Sequence, residues 1–226
     1  MSIPSQQGIL PIPSGTPTGA AKGGLQRLGL GGSRDGLLFL PPSPALSPYP
    51  LIVLLHGAGG NATNTIGFLE RKAAEHGCAL LVPESREHTW DVMIGGFGPD
   101  IEFLDRALAL VFSSCLIDTS RIAIAGFSDG ASYALTLGLI NGRIFTDVIA
   151  FSPGFMTPSR LEGRPRIFIS HGIEDEVLPI ARCSRRIVPQ LQTLKYELTY
   201  REFVGGHVVP DSIVDEAMHC FLTPDR

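Results

Sequence analysis

An α/β architecture, a mostly parallel sheet with helices on both faces, is predicted by three features of the sequence. Short runs of Val, Ile and Leu without polar alternation recur along the chain, as strands buried on both faces require. Between them lie stretches with apolar residues at steps of three and four, the period of a helix packed on a sheet. And 44% of the 226 residues are hydrophobic against 18% charged, which is ample material for such a core.

The elements follow in order. Half of the 18 prolines lie in the first fifty residues. Residues 1–23, rich in Pro, Gly and Ser, read as an extended or mobile N-terminal tail ahead of a single domain over 24–226. Gly24–Leu30 and Gly36–Leu40 flank Gly31-Gly32-Ser33-Arg34-Asp35 as an edge hairpin, and Pro41–Pro50 is a proline-rich connection. Leu51–Leu55 is a continuous apolar strand ending at His56-Gly57, and a helix is expected from about Asn64 to His76. Ala79–Val82 is the next strand. A loop with the only tryptophan, Trp90, and with Gly95, Gly96 and Gly98 reads as mobile or tightly turned. It leads to a helix from Asp100, the expected N-cap, to about Leu116, with Ile101, Leu104, Leu108, Val111 and Cys115 in one stripe. Ile122–Ala125 is a strand and Ala131 to about Ile140 a helix. Val148–Phe151, Ile167–Ser170 and Tyr196–Phe203 complete the strands, with a helix over Ile180–Leu191 before the last. Pro210 suits the first turn of a closing helix in which Ile213, Val214, Ala217, Met218 and Phe221 share a face.

Composition excludes several classes of function. The net charge is −4 and no run of Lys or Arg occurs, so nucleic acid is not expected as a partner. No apolar stretch reaches the 18 residues of a bilayer span. The first charged side chain is Lys22, so the basic start of a secretion signal is missing, and a soluble cytoplasmic protein is expected. Cys78, Cys115, Cys183 and Cys220 form no CxxC pair and read as free structural thiols. There is no HExxH and no close His/Asp cluster, so neither metal nor cofactor is expected.

In such a sheet, ligands bind beyond the carboxyl ends of the strands. Four segments fall there: His56–Asn61, Gly126–Gly130, Asp175, and Gly205-Gly206-His207. Gly126-Phe127-Ser128-Asp129-Gly130 is a G-x-S-x-G pattern between strand and helix, where small flanks allow a strained turn that projects the serine hydroxyl. A serine needs a base to take its proton, and the base needs an acid to fix its tautomer. Of six histidines, His76 and His219 fall in helices and His88 in a loop. His56 and His171 stand before Gly at strand ends, where an imidazole often holds a loop by hydrogen bonds. His207 follows the last strand after two glycines, and the order Ser128, Asp175, His207 makes it the base. Glu174 and Glu176 flank Asp175, so the acid is chosen by spacing. The glycine-rich turn after His56 offers backbone N–H groups to an oxyanion, Ala58 and Asp129 being the matching donors. A rival reading takes Gly57-x-Gly59-x-x-Ala62 as a dinucleotide-binding turn with Glu84 as the ribose acid. A third keeps the fold as a small-molecule binding protein without turnover.

With these residues in view, the chain resembles an α/β-hydrolase of the phospholipase/carboxylesterase family, which includes acyl-protein thioesterases. The resemblance runs from about Pro50 to Phe221. It rests on His56-Gly57-Ala58-Gly59-Gly60, Gly126–Gly130, His171-Gly172-Ile173-Glu174-Asp175-Glu176-Val177-Leu178-Pro179 and Gly206-His207. It implies nucleophile Ser128, acid Asp175 and base His207. Acyl-protein thioesterases carry Gln where Asp129 stands, and Leu and Asp where Ala58 and Gly60 stand, which weighs against protein depalmitoylation. The stretch from Asp91 to Asp105 also resembles feruloyl-esterase and polyhydroxybutyrate-depolymerase-like members. The expected activity is hydrolysis of small to medium carboxylic esters through an acyl-enzyme. The short connection between the fourth and fifth parallel strands leaves no room for a cap domain. Trp90, Met93, Ile94, Phe97, Phe155 and Leu178, on loops near the active edge, are the expected substrate-binding side chains.

Overall fold

The computed structural model describes residues 4–13, 17, 22–42 and 48–223. Residues 43–47 of the proline-rich connection lie outside the described residues, as do 1–3, 14–16 and 18–21 of the N-terminal stretch. Among the described residues, eight strands form one sheet. They are β1 (Gly24–Arg27), β2 (Gly36–Leu40), β3 (Tyr49–Leu55), β4 (Ala79–Pro83), β5 (Ile117–Phe127), β6 (Asp147–Phe151), β7 (Arg166–Gly172) and β8 (Leu198–Phe203). Their order is β1-β2-β4-β3-β5-β6-β7-β8. β1 and β2 join antiparallel, and every pairing from β3 to β8 is parallel.

The pleat explains why the strands read as unbroken apolar runs. In β3, Leu51, Val53 and Leu55 point into one core while Ile52 and Leu54 point into another. The first core is closed by α3 (Pro99–Ser114), α4 (Asp129–Ile140) and α5 (Ser184–Thr193). The second is closed by α1 (Ala62–Ile66), α2 (Glu70–His76) and α6 (Asp211–Leu222). α4 lies deepest, with eleven of its residues buried from Gly130 to Ile140. Gly138 makes this depth possible, because a Cβ there would sit 2.3 Å from a Val148 methyl.

Four boundaries differ from the sequence expectation. The helix expected over Asn64–His76 is two helices, α1 and α2, joined by tight turns in which Phe68 N–H bonds Thr65 O and Leu69 N–H bonds Ile66 O. The β-branched Thr63, Thr65 and Ile66 are poor at sustaining a longer helix. β5 begins at Ile117, well before Ile122, because Tyr49 pairs Ile117 across a register shift. Its Asp118–Arg121 stretch is polar and carries no strand signature. α5 begins at Ser184, four residues after Ile180. Asp100 is not the N-cap of α3: Gly98 holds that place, Pro99 opens the first turn, and the buried Asp100 side chain turns back to the preceding loop.

The N-terminal stretch is attached where it is described. Leu10 is buried against the α3–α4 core, its N–H donates to Asn141 Oδ1 at 2.8 Å, and Asn141 Nδ2 donates to Gly8 O at 2.8 Å. No helix of the described residues is long and apolar enough to cross a membrane.

All four cysteines are free; Cys78, Cys115 and Cys183 are buried and Cys220 is half-buried. Burial pushes the Cys78 and Cys115 thiols up to about 11 and also raises Cys183. In the native protein at pH 8, a disulfide reagent should therefore titrate Cys220 alone, and all four thiols after addition of guanidinium. Rapid reaction of several thiols without denaturant would contradict this packing.

Candidate active site

The elbow is set by backbone contact. Ser128 sits between β5 and α4 at φ 57°, ψ −121°, a left-handed conformation that costs about 1–3 kcal/mol for a residue with a Cβ. Its neighbours hold it there. A Cβ at Gly126 would lie 2.2 Å from Gly130 O, and one at Gly130 would lie 2.3 Å from Leu55 O and 2.5 Å from His56 O. Glycine is therefore required at both places for β3, β5 and α4 to meet. The Ser128 N–H donates to Phe151 O at 3.0 Å, tying the elbow to the end of β6.

The loops after β7 and β8 deliver the other two groups. Gly172 allows them to cross, since a Cβ there would lie 2.3 Å from both Gly205 O and Gly206 O. The crossing brings His207 Nε2 to 2.9 Å from Ser128 Oγ and His207 Nδ1 to 2.6 Å from Asp175 Oδ2. The Asp175 carboxylate is fully buried, and its Oδ1 accepts the N–H groups of Val177 at 3.0 Å and Leu178 at 2.8 Å. Burial alone would raise the Asp175 carboxyl. The hydrogen bonds from His207 and the Leu178 N–H outweigh it and hold it below the usual range. Phe127 supports the His207 ring at 4.6 Å between centroids.

The glycine-rich turn lies against the elbow, where a Cβ on Gly57 would stand 3.3 Å from Ser128 Cβ. Among the described residues neither the Ala58 nor the Asp129 N–H has a hydrogen-bond partner. His56, fully buried, braces this turn. Its Nε2 accepts the Ser85 N–H at 3.0 Å and therefore carries no proton, so Nδ1–H donates to Gly57 O at 2.7 Å. Burial keeps this imidazole neutral by pushing its pKa down, and the nearby Arg34 charge adds to that. Arg34 Nη2 also donates to Gly60 O at 2.8 Å. Glu84 accepts the Ala62 N–H at 3.0 Å and the Asp35 N–H at 3.3 Å. With its carboxylate so engaged, and α1 only five residues long, the dinucleotide reading loses its ribose acid and its helix.

The expected substrate side chains divide. Trp90 is fully buried, stacked between His56 and Tyr133, with its indole N–H on His56 O at 2.8 Å. It offers no surface to a ligand, and its place in the pocket is corrected to a packing role. Met93 and Phe97 are half-buried against the α3–α4 core. Ile94 is 62% exposed, and Phe155 and Leu178 are half-buried, Leu178 packing over Gly154. The loop bearing Met93, Ile94 and Phe97 is pinned by Asp91. Its Oδ2 accepts from Gly98 and Asp100 N–H at 2.8 and 3.1 Å, and its Oδ1 from Tyr133 OH at 2.8 Å. Asp100 in turn accepts the Arg86 and Asp91 N–H groups at 2.5 and 2.7 Å. Burial, aided by the neighbouring Asp91 charge, pushes Asp100 up to about 6. Thr89 Oγ1 donates to Asp129 Oδ2 at 2.6 Å and joins this loop to the elbow. Arg34, Ser85 and Tyr133 carry no local motif; the folded sheet and the burial of α4 bring them to this edge.

The strand order, the strained serine between β5 and α4, and the His and Asp loops at the same edge define the α/β-hydrolase class. A model of the phospholipase/carboxylesterase family matches residues 101–221, more than half of the chain, and the chain belongs to that family. It is 27% identical over 143 residues to a probable feruloyl esterase C of Aspergillus niger, covering 60% of this chain and 52% of that protein. The chain thus spans about half the length of this curated relative. A substrate-bound fluorophosphonate-binding serine hydrolase of Staphylococcus aureus superposes with a TM-score of 0.74 at 15% identity, covering 90% of this chain and 100% of that one. A phospholipase/carboxylesterase of Dyadobacter fermentans gives 0.61 at 23% identity, covering 85% and 99%.

Gly130→Ala should cost about 3 kcal/mol or more in urea unfolding, because the added methyl meets backbone rather than movable side chains. Gly67→Ala, at a helical φ of −57° with open space around it, should be neutral or slightly stabilising. Equal stabilities for the two variants would contradict the close backbone approach.

Proposed function

We propose that the protein is a serine hydrolase that cleaves small to medium carboxylic esters through Ser128, His207 and Asp175. The observation that carries this reading is the continuous hydrogen-bonded chain Ser128 Oγ–His207–Asp175, at 2.9 and 2.6 Å.

The tautomer follows from the acid. An ionised Asp175 only accepts, so His207 Nδ1 bears the proton and Nε2 presents its lone pair to the serine hydroxyl. As Ser128 Oγ attacks the ester carbonyl, its proton passes to His207 Nε2, and Asp175 balances the imidazolium. The carbonyl oxygen becomes an oxyanion, received by the Ala58 N–H in the turn after β3 and the Asp129 N–H at the N-terminus of α4. Collapse breaks the C–O bond, and the alcohol leaves with the proton from Nε2. Water, deprotonated by the same nitrogen, then releases the carboxylic acid and restores Ser128.

Substrate size is argued from what surrounds the elbow. The β6–β7 connection, residues 152–165, contains no helix that would cap the site. Ile94, Phe155 and Leu178 keep exposed surface near the edge and suit an alkyl or aromatic acyl group. The Aspergillus niger relative is named a probable feruloyl esterase, which supports including an aromatic acyl ester among the substrates. The family match and the hydrogen-bonded triad together favour turnover over binding alone.

The test is hydrolysis of p-nitrophenyl acetate, p-nitrophenyl butyrate and methyl ferulate by the wild type and by Ser128→Ala, His207→Ala and Asp175→Asn. Each variant should lose about 10⁴-fold or more in kcat with KM little changed. Ser128→Ala retaining a tenth of the activity would contradict the mechanism.

A further inference from the structure

His171 is the second imidazole on the Asp175 carboxylate. It ends β7 one residue before Gly172, and its side chain has no exposed surface. Its Nε2 lies 2.7 Å from Leu178 O, which can only accept, so Nε2 carries the proton. Nδ1 is then an acceptor, and the buried Ser184 hydroxyl at the start of α5 donates to it at 2.7 Å. The same Nε2 stands 3.2 Å from Asp175 Oδ2, the oxygen that His207 uses.

We propose that His171 is a positioning residue for the hydrolysis: its Nε2–H, bonded to Leu178 O and 3.2 Å from Asp175 Oδ2, fixes the rotation of the carboxylate that orients His207. The inference rests on the reading of Ser128, His207 and Asp175 given above. Leu178 offers its N–H to Asp175 Oδ1 and its carbonyl to His171, so it ties the two side chains together while His171 Nε2 stands 3.2 Å from Oδ2. The Val177 and Leu178 N–H groups hold Oδ1 and His207 holds Oδ2, and a rotation that turned Oδ2 from His207 would break several bonds at once. Charge matters as well. A cation at His171 would compete for Asp175 with the imidazolium that forms on His207. Burial keeps His171 neutral by pushing its pKa down, against the pull of Leu178 O and Asp175. The ionisable groups facing it are Asp175 from its own loop, His207 from the loop after β8, and Glu202 on β8, its register partner.

The experiment compares His171→Leu, His171→Gln and Ser184→Ala in the full chain. It reads kcat and KM for p-nitrophenyl acetate, together with the downfield proton resonance of the short His207–Asp175 bond. His171→Leu should lose about 10- to 100-fold in kcat, the range found for hydrogen bonds one step behind a reacting group, with KM within about threefold. Its downfield resonance should broaden or vanish. His171→Gln keeps an N–H donor and should recover most of the rate and the resonance. A folded His171→Leu with wild-type kcat and an unchanged resonance would overturn the proposal, as would a Gln variant as impaired as Leu. If His171→Leu does not fold, Ser184→Ala decides. Loss of the tautomer-fixing hydroxyl should lower kcat about threefold or more at constant KM, and wild-type kcat and resonance overturn the proposal. Ser128→Ala separates the two readings: if it stays active, the triad itself is wrong; if it is inert while the His171 variants are fully active, only this inference falls.

Discussion

Ser128 occupies a left-handed backbone conformation because three chain segments touch through glycine. Gly126 and Gly130 remove the two Cβ atoms that would drive β5, α4 and the end of β3 apart. Everything at the active edge depends on that approach. It directs the serine hydroxyl outward, opens α4 with N–H groups that have no helical partner, and sets the glycine-rich turn after β3 against Ser128. A second close approach, Gly172 beneath Gly205 and Gly206, does the same for Asp175 and His207. The strained backbone is held by the large apolar cores on both faces of the sheet, against which a few kcal/mol of local strain is small.

Around this frame the polar groups are arranged as a buried scaffold. Asp91 and Asp100 accept each other's N–H groups directly or through the chain between them, and Tyr133 reaches from α4 to the same carboxylate. His56, in a single tautomer, links the glycine-rich turn to Ser85 after β4, and Arg34 reaches from the edge hairpin to the turn carbonyl of Gly60. Each is a short-range contact that costs little when complete and much when one partner is lost. The arrangement accounts for how loops from β1–β2, β3 and β4 and the helix α4 hold one geometry.

The parts legible from sequence are those whose signal is local. Leu51–Leu55 and Val148–Phe151 announce buried strands because both faces of the sheet are covered. Ser128, Asp175 and His207 are named by their order after successive strands, and the structure brings them within hydrogen-bonding distance. What was illegible depends on tertiary contact. The polar start of β5 is a strand only because Tyr49 pairs with Ile117. Asp100 looks like a cap in sequence, but a buried loop claims its carboxylate. Trp90 reads as a loop aromatic free to meet a substrate, yet it is consumed by stacking between His56 and Tyr133. Arg34 lies in a hairpin far from any motif, and nothing short of the folded sheet brings it to Gly60.

The central claim is that the elbow, the base and the acid together make Ser128 a nucleophile. A fluorophosphonate probe followed by peptide mass spectrometry tests it most directly, because phosphonylation requires a serine activated in place. One adduct per chain on Ser128 in the native protein, abolished by prior denaturation, is the result expected. A folded protein that stays unlabelled, or an adduct on another residue with Ser128 free, would contradict it.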